Sequence, residues 1–544
     1  MKRVISIILA VMILLLGCCA CGKKAAKNAD KTINYNLDSE PKTLDPQIVS
    51  DYPGRVVIEA LYEGLARLDK NEKAYPGVAE KWEANSDNTV FTFTLRKDAK
   101  WTSSGSDKNE DPVTADDFVY AFQRALSPST KSSTCSPMFC IKNAREVNAG
   151  KLPANQLGVT AKDAYTLVVQ LDYPYPDFPA LTATAPFMPC NKKFFDSTAG
   201  KYGLEVKTIC SNGPFKIGGS YSWDHGNYIK LTRSATYSGS NKPLPAALNF
   251  TIGSNKDHDV SNPITALTTG TVDVIAIPAT SLNDAEKIGC SISSFEDTTW
   301  GLCFNTANNL MKSGIIRKAF VQTLDRKKIL SHLPENCKAA DDIITPATTF
   351  MGSSYRKAVG SAMYAKADNN AVNGIPGALT ALSLDALPSV AVLGPDDSNV
   401  KLMLNEIITS WNAKMGNYFN MKPLSQEDLA AKVAAGDYQI ALYPIRPNGD
   451  GPKQLLSLFQ STSNANPAFL KDSNYDKLLA AADTQSGTDA IKSYAAAEKY
   501  LNDQFIFYPV YYENRYYACA KGVTGIIVHP YDAGIDFTQA GKEE

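Results

Sequence analysis

The length, composition and charge of the chain exclude some classes of protein at the outset. At 544 residues, of which 44% are hydrophobic, the chain is too long for one compact core and is expected to form two or three domains. Its 55 basic and 56 acidic residues are dispersed and leave a net charge of −1. Because binding to a nucleic-acid backbone needs concentrated positive charge, we expect no nucleic-acid partner.

The N-terminal residues have the pattern of an export signal followed by a tether. Lys2 and Arg3 precede an apolar run at 4–16, which is too short to span a membrane comfortably and has the flanks of a secretory signal. Residues 1–17 are therefore predicted to be a signal peptide. The polar stretch 18–31 is predicted to be a solvated tether, because it has no core to bury.

The end of the apolar run predicts a lipid anchor. Leu15-Leu16-Gly17-Cys18 resembles the bacterial lipobox, in which the cysteine is lipidated after cleavage and becomes the new N-terminus. Cys21 is the second candidate for lipidation. An ordinary signal peptide with incidental cysteines is the alternative, although three cysteines within four residues disfavour it.

Residues 89–128 predict a strand followed by an amphipathic helix. In TVFTFTLRKDAKW (89–101) apolar and polar residues alternate, as they do in a half-buried strand. Thr114 can cap a helix while Asp117 reaches back to it. The apolar residues that then repeat at helical spacing are Phe118, Ala121, Phe122, Ala125 and Leu126.

Residues 389–445 alternate between short strands and helices. The predicted elements are a strand at 390–393, a helix with the apolar stripe Val400, Met403, Leu404, Ile407, Ile408 and Trp411, a strand at 418–424, a helix between Ser425 and Gly436, and a strand at 437–445. This β-α-β-α-β order predicts a partly parallel sheet covered by helices. Residues 363–376, which are rich in alanine and asparagine, are predicted to be a loop.

The cysteines and histidines do not form a recognisable metal or disulfide pattern. Eight cysteines follow the tether, with no CxxC pair among them, and the four histidines are far apart in sequence. We predict buried thiols with one or two bridges at most, since eight cysteines allow 105 pairings. No metal site and no cofactor are expected.

Catalytic motifs are also lacking. The chain has no GxxxxGK[ST], HExxH or GxSxG sequence. Ser354 to Lys357 match SxxK without the KTG or SDN that accompany it in penicillin-recognising enzymes, so a chance match is favoured. An enzyme is therefore the poorer hypothesis.

Five motifs in one order carry a family resemblance: EPKTLDP (40–46), YEGL (62–65), PGVAEKW (76–82), FTLRKDAKW (93–101) and PVTADDFVYAFQR (112–124). The chain resembles the extracytoplasmic solute-binding proteins of family 5, in the oligopeptide-binding branch that serves ABC importers. Further matches extend to FIFYPVYY (505–512), so the resemblance spans nearly the whole mature chain. It implies an α/β fold of the type II (cluster C) periplasmic-binding-protein class, with two lobes, a hinge and three domains.

The resemblance also implies a domain division. Domain I would combine residues 32–62, 191–297 and 506–544, with domain II inserted at 63–190 and domain III at 298–505. Domain III would form the second lobe.

Ligand contacts are implied in two segments and near a third. Relatives run protein strands alongside the ligand, which here places Ser50, Asp51 and Tyr52 in the first segment and YPIRPNGDGP (443–452) in the second. Trp300 and Cys303 lie where relatives contribute pocket side chains, although core packing is an equal alternative for both.

The second segment departs from the family pattern. Oligopeptide binders usually carry an Asp that pairs with the ligand α-ammonium group, and Asn448 stands at that position. Asp450 is a candidate replacement, while Arg446 adds a positive charge nearby. The implied ligand contacts of this segment are therefore Tyr443, Arg446, Asn448 and Asp450.

The function implied by the resemblance is that of an extracytoplasmic lipoprotein that captures oligopeptides and delivers them to an ABC permease with its ATPase. The expected protein is a monomer, held on the bacterial cell membrane by its lipid. The alternatives are an importer role for an oligosaccharide or a metal chelate, and a surface hydrolase.

Overall fold

The computed structural model describes most of the chain after the tether. The described residues are 31–103, 111–256, 258–335, 337–350, 353–360, 364–447, 451–483, 485, 487–530 and 534–543. The predicted signal peptide and lipidation site lie outside them.

A mixed sheet of 12 strands runs through the molecule. Its main path is, in spatial order, Phe215–Ile217, Tyr228–Arg233, Ala247–Ile252, Thr32–Leu37, Val274–Ile277, Phe507–Cys519, Ser291–Phe304, Ile440–Ile445, Val390–Pro395 and Phe419–Leu424, with Trp223–Asp224 and Lys338–Ala339 paired at its sides. The two longest strands, Ser291–Phe304 and Phe507–Cys519, lie side by side in the middle, and we call them the hinge strands.

The buried apolar side chains form separate cores on the two sides of the hinge strands. On one side the clusters come from residues 33–285 and 516–540, which we call the first lobe. On the other side they come from residues 300–511, the second lobe. The predicted two-lobed α/β fold is confirmed. Dividing the chain in this way suits its length, because single cores stop growing at about 250 to 300 residues.

The strand and helix predicted at 89–128 are confirmed, with a shorter strand. Val90–Leu95 alternates between buried and half-buried residues in a four-stranded sheet of the first lobe. The helix is Ala115–Leu126, and the Thr114 backbone N–H donates to Asp117 at 2.8 Å. Its five predicted apolar residues are all buried, so helical spacing identified the packed face.

The β-α-β-α-β unit is also confirmed. Val390–Pro395 pairs in parallel with both Phe419–Leu424 and Ile440–Ile445. Helices Ser398–Met415 and Gln426–Ala435 connect them, and the buried residues of the first helix are the six of the predicted stripe. Part of the predicted loop at 363–376 is helical instead, because a 3-10 helix at Asn369–Gly374 leads directly into Ile375–Ala381.

The other elements are mostly short, apart from the 17-residue helix Gly487–Asp503. Further α-helices are Tyr52–Leu61, Ala144–Asn148, Phe178–Leu181, Lys192–Ser197, Pro263–Thr269, Leu282–Lys287, Gly314–Gln322, Arg326–Leu330, Tyr355–Val359, Pro452–Leu456, Ser473–Asp483 and Gly487–Asp503. The four-stranded sheet is Ala79–Ala84, Val90–Leu95, Thr166–Gln170 and Val159–Asp163. Strand pairs are Ala66–Leu68 with Ala74–Pro76, Thr102–Ser103 with Cys210–Ser211, Thr349–Phe350 with Ser353–Ser354, Val523–Thr524 with Gly541–Lys542, and Ile527–Val528 with Ile535–Asp536.

The eight cysteines after the tether all lie among the described residues, and the structure forms no disulfide between them. Six are buried and two are half-buried, as expected for thiols that pack as small apolar side chains.

A buried ion pair lies where the hinge strands pass from one lobe to the other. The register of the two strands shifts between Phe295 and Thr298, and the fully buried Asp297 lies in this bulge. Arg515, on the other hinge strand, donates to the two Asp297 oxygens from Nε at 3.1 Å and from Nη2. Thr298 Oγ1 donates to Asp297 at 3.1 Å and accepts from Arg446 Nε at 2.9 Å. Charged groups from both hinge strands therefore meet at the bulge.

We expect Asp297→Asn to lower the free energy of unfolding by about 1.5 to 3 kcal/mol, because the neutral amide replaces the fully buried carboxylate that accepts charge-assisted hydrogen bonds from Arg515. Urea denaturation of the purified protein would measure this. Asp284→Asn is the matched control, since the Asp284–Lys287 pair is exposed and should contribute about 1 kcal/mol or less. Equal effects of the two substitutions would contradict a special role for the hinge pair.

Candidate functional site

The first predicted ligand segment is the start of a helix. The Asp51 side chain caps helix Tyr52–Leu61 by accepting from the Gly54 N–H at 2.8 Å. The carbonyl of Ser50 accepts from Arg55 Nη1 at 3.2 Å. Because the Asp51 carboxylate and the Ser50 carbonyl have these internal partners, the segment is held in place without a ligand.

Both predicted ligand segments contact the hinge strands. The Tyr52 hydroxyl lies 3.3 Å from the hydroxyl of Tyr517 on one hinge strand. In the second segment, Arg446 donates to Thr298 on the other. The two segments are therefore tied to the part of the molecule that joins the lobes.

The second segment begins as a strand with one edge only partly paired. All six residues of Ile440–Ile445 pair with a hinge strand, whereas the pairing with Val390–Pro395 covers Ile440 and Ala441 only. Tyr443 is half-buried on this stretch, and burial raises the pKa of its hydroxyl. Asn448 and Asp450 lie outside the described residues. The partly paired edge is where an extended ligand could add a strand.

Trp300 and Cys303 lie in the core of the second lobe. Trp300 is 5% exposed, stacks on Tyr511 with ring centroids 5.7 Å apart, and donates from Nε1 to Glu513 at 2.7 Å. Cys303 is 0% exposed, its Sγ is 3.4 Å from the Tyr438 hydroxyl, and burial raises the pKa of its thiol to about 12. The Cys303 side chain has no accessible surface in this structure, which favours the alternative of core packing over a ligand contact.

A cavity of about 550 Å³ lies between the lobes, and we call it the interlobe cavity. Val49 lines it from the first lobe and Gly451 from the second, so it borders the ends of both predicted ligand segments. Two other cavities, of about 710 and 520 Å³, are lined by first-lobe residues alone. The interlobe cavity has the size of a site for a compact organic ligand.

Much of the cavity wall comes from residues that were not predicted from the sequence to contact a ligand. The first lobe supplies Trp82 and most of the stretch 175–186, and the second lobe supplies Phe350 and Gln454. The sequence feature that could have indicated this wall is the dense run of prolines and aromatic residues in YPYPDFPA (173–180), because prolines and aromatic rings form rigid surfaces. Placement of this run against the second lobe depends on contacts between distant parts of the chain.

A direct contact joins the lobes at the rim of the cavity. Lys453 Nζ, on the second lobe, donates to the Tyr173 hydroxyl at 2.8 Å and lies 4.7 Å from the centre of its ring. Lys453 is two residues after the cavity residue Gly451, and Tyr173 is two residues before the cavity residue Tyr175. The rim therefore has a cation–π contact and a hydrogen bond that exist only while the lobes are close together.

Titratable groups cluster behind one wall. Glu72 lines the cavity, and its Oε1 lies 2.9 Å from His529 Nδ1. Behind them Arg67 donates to Asp536 at 2.8 Å and lies 3.6 Å from Glu59. Burial raises the pKa of Glu59 to about 7, although the positive charge of Arg67 opposes the change. Burial lowers the pKa of His529, but the hydrogen bond and charge of Glu72 outweigh it, so the net change is upward.

Both pKa changes make the folded protein more stable in acid. Between pH 4.5 and about 7 the folded state holds a proton on Glu59 that the unfolded chain releases, so stability falls as the pH rises through this range. The stabilisation from protonated His529 is complete below its unfolded pKa of about 6.5 and is likewise lost as the pH rises through the higher folded value.

We expect Glu59→Gln to reduce the loss of stability between pH 5 and pH 8 by about 1 to 3 kcal/mol, since glutamine carries no titrating proton. Denaturation curves at a series of pH values would measure the difference from the unaltered protein. Glu83→Gln is the control, because Glu83 is exposed and paired only with exposed Lys81. A Glu59→Gln profile parallel to that of the unaltered protein would show that Glu59 does not titrate in this range.

The described residues contain neither a group of side chains suited to a metal ion nor a helix that could cross a membrane. No three His, Cys, Asp or Glu side chains in this part of the chain are grouped so that they could hold a metal ion. Within the same residues, every helix is too short or too polar to cross a membrane.

Two lobes, a pair of strands that crosses between them and a cavity lined from both sides define a bilobal ligand-binding protein. A family model described as bacterial extracellular solute-binding proteins, family 5 middle, matches residues 73–467. The chain belongs to this family, which confirms the resemblance found in the sequence.

Individual relatives match over nearly the full length. The chain is 27% identical over 549 residues to the dipeptide-binding protein DppE of Bacillus subtilis, with 97% of this chain and 98% of the relative covered. It is 26% identical over 553 residues to the oligopeptide-binding protein OppA of the same organism, with 97% of each covered. The substrate-binding domain of an oligopeptide ABC transporter from Bacillus anthracis has a similar structure, with a TM-score of 0.74, 25% identity and coverage of 95% of this chain and 100% of that one.

Proposed function

We propose that this protein captures oligopeptides between its two lobes and delivers them to the permease of an ABC importer, whose ATPase supplies the work. The observation that carries the proposal is the interlobe cavity, which borders one end of each predicted ligand segment. The full-length relatives, a dipeptide-binding and an oligopeptide-binding protein, support the same ligand class.

The partly paired edge of Ile440–Ile445 suits a peptide ligand. A bound peptide exposes a donor and an acceptor at each residue, and leaving them unpaired would cost about 1 to 3 kcal/mol each. The backbone of a bound peptide could pair with residues 442–445, so that the peptide adds one more strand to the sheet. Tyr443, Arg446, Asn448 and Asp450 are the proposed contacts of the second lobe, and Ser50, Asp51 and Tyr52 those of the first. Trp300 pairs with Pro444 of this strand and stacks on Tyr511, so it would support the strand from the core.

Closure of the lobes would follow from contacts with both ends of the ligand that an open form lacks. The proposed domain division is 32–62, 191–297 and 506–544 for domain I, 63–190 for domain II and 298–505 for domain III. Lys453 and Tyr173 would then join domain III to domain II in the closed form.

The ligand proposal predicts saturable binding without turnover. We expect the purified protein to bind short peptides one to one in isothermal titration calorimetry, and to leave them intact in a mass-spectrometric assay. Native mass spectrometry of the protein as purified would identify any ligand that it carries. Recovery of a sugar or a metal chelate would keep the importer role and change the substrate, whereas peptide fragments appearing with time would support a hydrolase.

We further propose that the protein is an extracytoplasmic lipoprotein that acts as a monomer near its permease. The lipobox-like sequence that ends in Cys18 supports the lipid anchor. A diacylglyceryl group supplies two chains, which gives a stable anchor, whereas one chain binds a membrane only marginally.

Cys18→Ser should abolish lipid attachment and move the protein from the membrane fraction to the soluble fraction. Incorporation of a labelled fatty acid in a bacterial host would measure attachment, and Cys21→Ser is the matched control, which should remain labelled. Loss of label in Cys21→Ser alone would move the site to Cys21. Absence of label in the unaltered protein would contradict the lipoprotein proposal.

A further inference from the structure

The interlobe cavity has one predominantly apolar wall that comes from outside the predicted ligand segments. Trp82, Tyr175 and Leu181 of the first lobe face the cavity, and Phe350 lines it from the second lobe. We call these four residues the apolar wall. All four are half-buried, so each keeps accessible surface beside the cavity.

The apolar wall is held rigid from behind. Trp82 packs against Phe93 with ring centroids 6.2 Å apart, within the aromatic core of the first lobe. In the second lobe, Phe350 packs edge-on against Tyr494 with ring centroids 5.6 Å apart. Because the rings already have partners on one face, a ligand group that enters the cavity meets a preformed surface and little ordering is needed.

The charges that the described residues place around the cavity balance one another. Within this part of the chain, two cations, Arg55 and Lys73, and two anions, Glu72 and Asp177, line it. Arg55 donates to the Ser50 carbonyl, and Glu72 is paired with His529. A charged ligand side chain would therefore meet charges of both signs and gain little net attraction, whereas an apolar side chain would gain from leaving water.

We propose that the interlobe cavity is a side-chain subsite that selects short peptides bearing a bulky apolar or aromatic side chain, and that the apolar wall sets this preference. The inference rests on the proposed peptide-binding function and adds the class of peptide. The volume of about 550 Å³ has room for a large side chain together with neighbouring peptide backbone. Domain II, as divided above, would thereby contribute three of the four wall residues and take part in ligand selection.

Calorimetry on the purified full chain with a tri-alanine series would test the subsite. One residue of tri-alanine is replaced in turn, at each of the three positions, by phenylalanine, lysine or glutamate. We expect the best phenylalanine peptide to bind about tenfold or more tightly than tri-alanine, which corresponds to the gain from burying a large apolar side chain. No lysine or glutamate peptide should bind more tightly than tri-alanine.

Variants of the wall connect the preference to the named residues. Phe350→Ala and Tyr175→Ala should each lower the ratio of the affinity for the phenylalanine peptide to that for tri-alanine by about threefold or more. Phe350→Leu, which keeps much of the apolar volume, guards against misfolding of the alanine variants and should retain most of the advantage. Tyr221→Ala is the control, because Tyr221 is 89% exposed and lies outside the cavity wall.

The outcomes separate this inference from the proposed function. If all peptides bind with equal affinity, or if a lysine or glutamate peptide binds best, the apolar subsite is overturned and peptide binding stands. If the wall variants weaken every peptide by the same factor, the wall is a general contact and does not select. If no peptide binds, the proposed function fails and this inference fails with it.

Discussion

The architecture depends on the ion pair between Asp297 and Arg515. The two hinge strands are the longest in the protein, and the bulge in their pairing places a fully buried carboxylate where one lobe ends and the other begins. A buried carboxylate is stable only when charged or polar partners surround it, and here Arg515 and Thr298 supply them. Since Arg446 also contacts this group through Thr298, the second ligand segment is connected to the hinge.

The interlobe cavity shows how two lobes with separate cores can form one site. Each lobe buries its own apolar side chains, so the cavity wall can open and close without exposing either core. The contact between Lys453 and Tyr173 forms at the rim, where it favours the closed arrangement only modestly because it is small and partly hydrated. Ligand contacts on both sides would therefore decide how long the lobes remain together.

The predicted ligand segments lie near the interlobe cavity, while some of the predicted side chains have partners inside the protein. Val49, directly before the first predicted segment, and Gly451, within the second, line the interlobe cavity. Asp51, however, caps a helix, and Cys303 is fully buried against Tyr438. Proximity to a family motif indicates where a residue lies along the chain, but the packing of both faces of a strand decides whether its side chain points to the cavity or to the core.

The sequence by itself determined the local structure and the family. Alternation identified the half-buried strand at Val90–Leu95, helical spacing identified the packed face of Ser398–Met415, and the order of five motifs identified the solute-binding family. Alternation and helical spacing depend on residues that are close together in the sequence, and the family assignment depends on the match between five motifs and the family pattern. Tertiary structure alone decided that Trp82, Tyr175 and Phe350 would line one cavity, that Asp297 would meet Arg515 more than 200 positions away, and that the prolines of residues 173–180 would form a wall. Such contacts are not encoded in local periodicity, because they form only when two separate cores have folded and the strands between them have brought the lobes together.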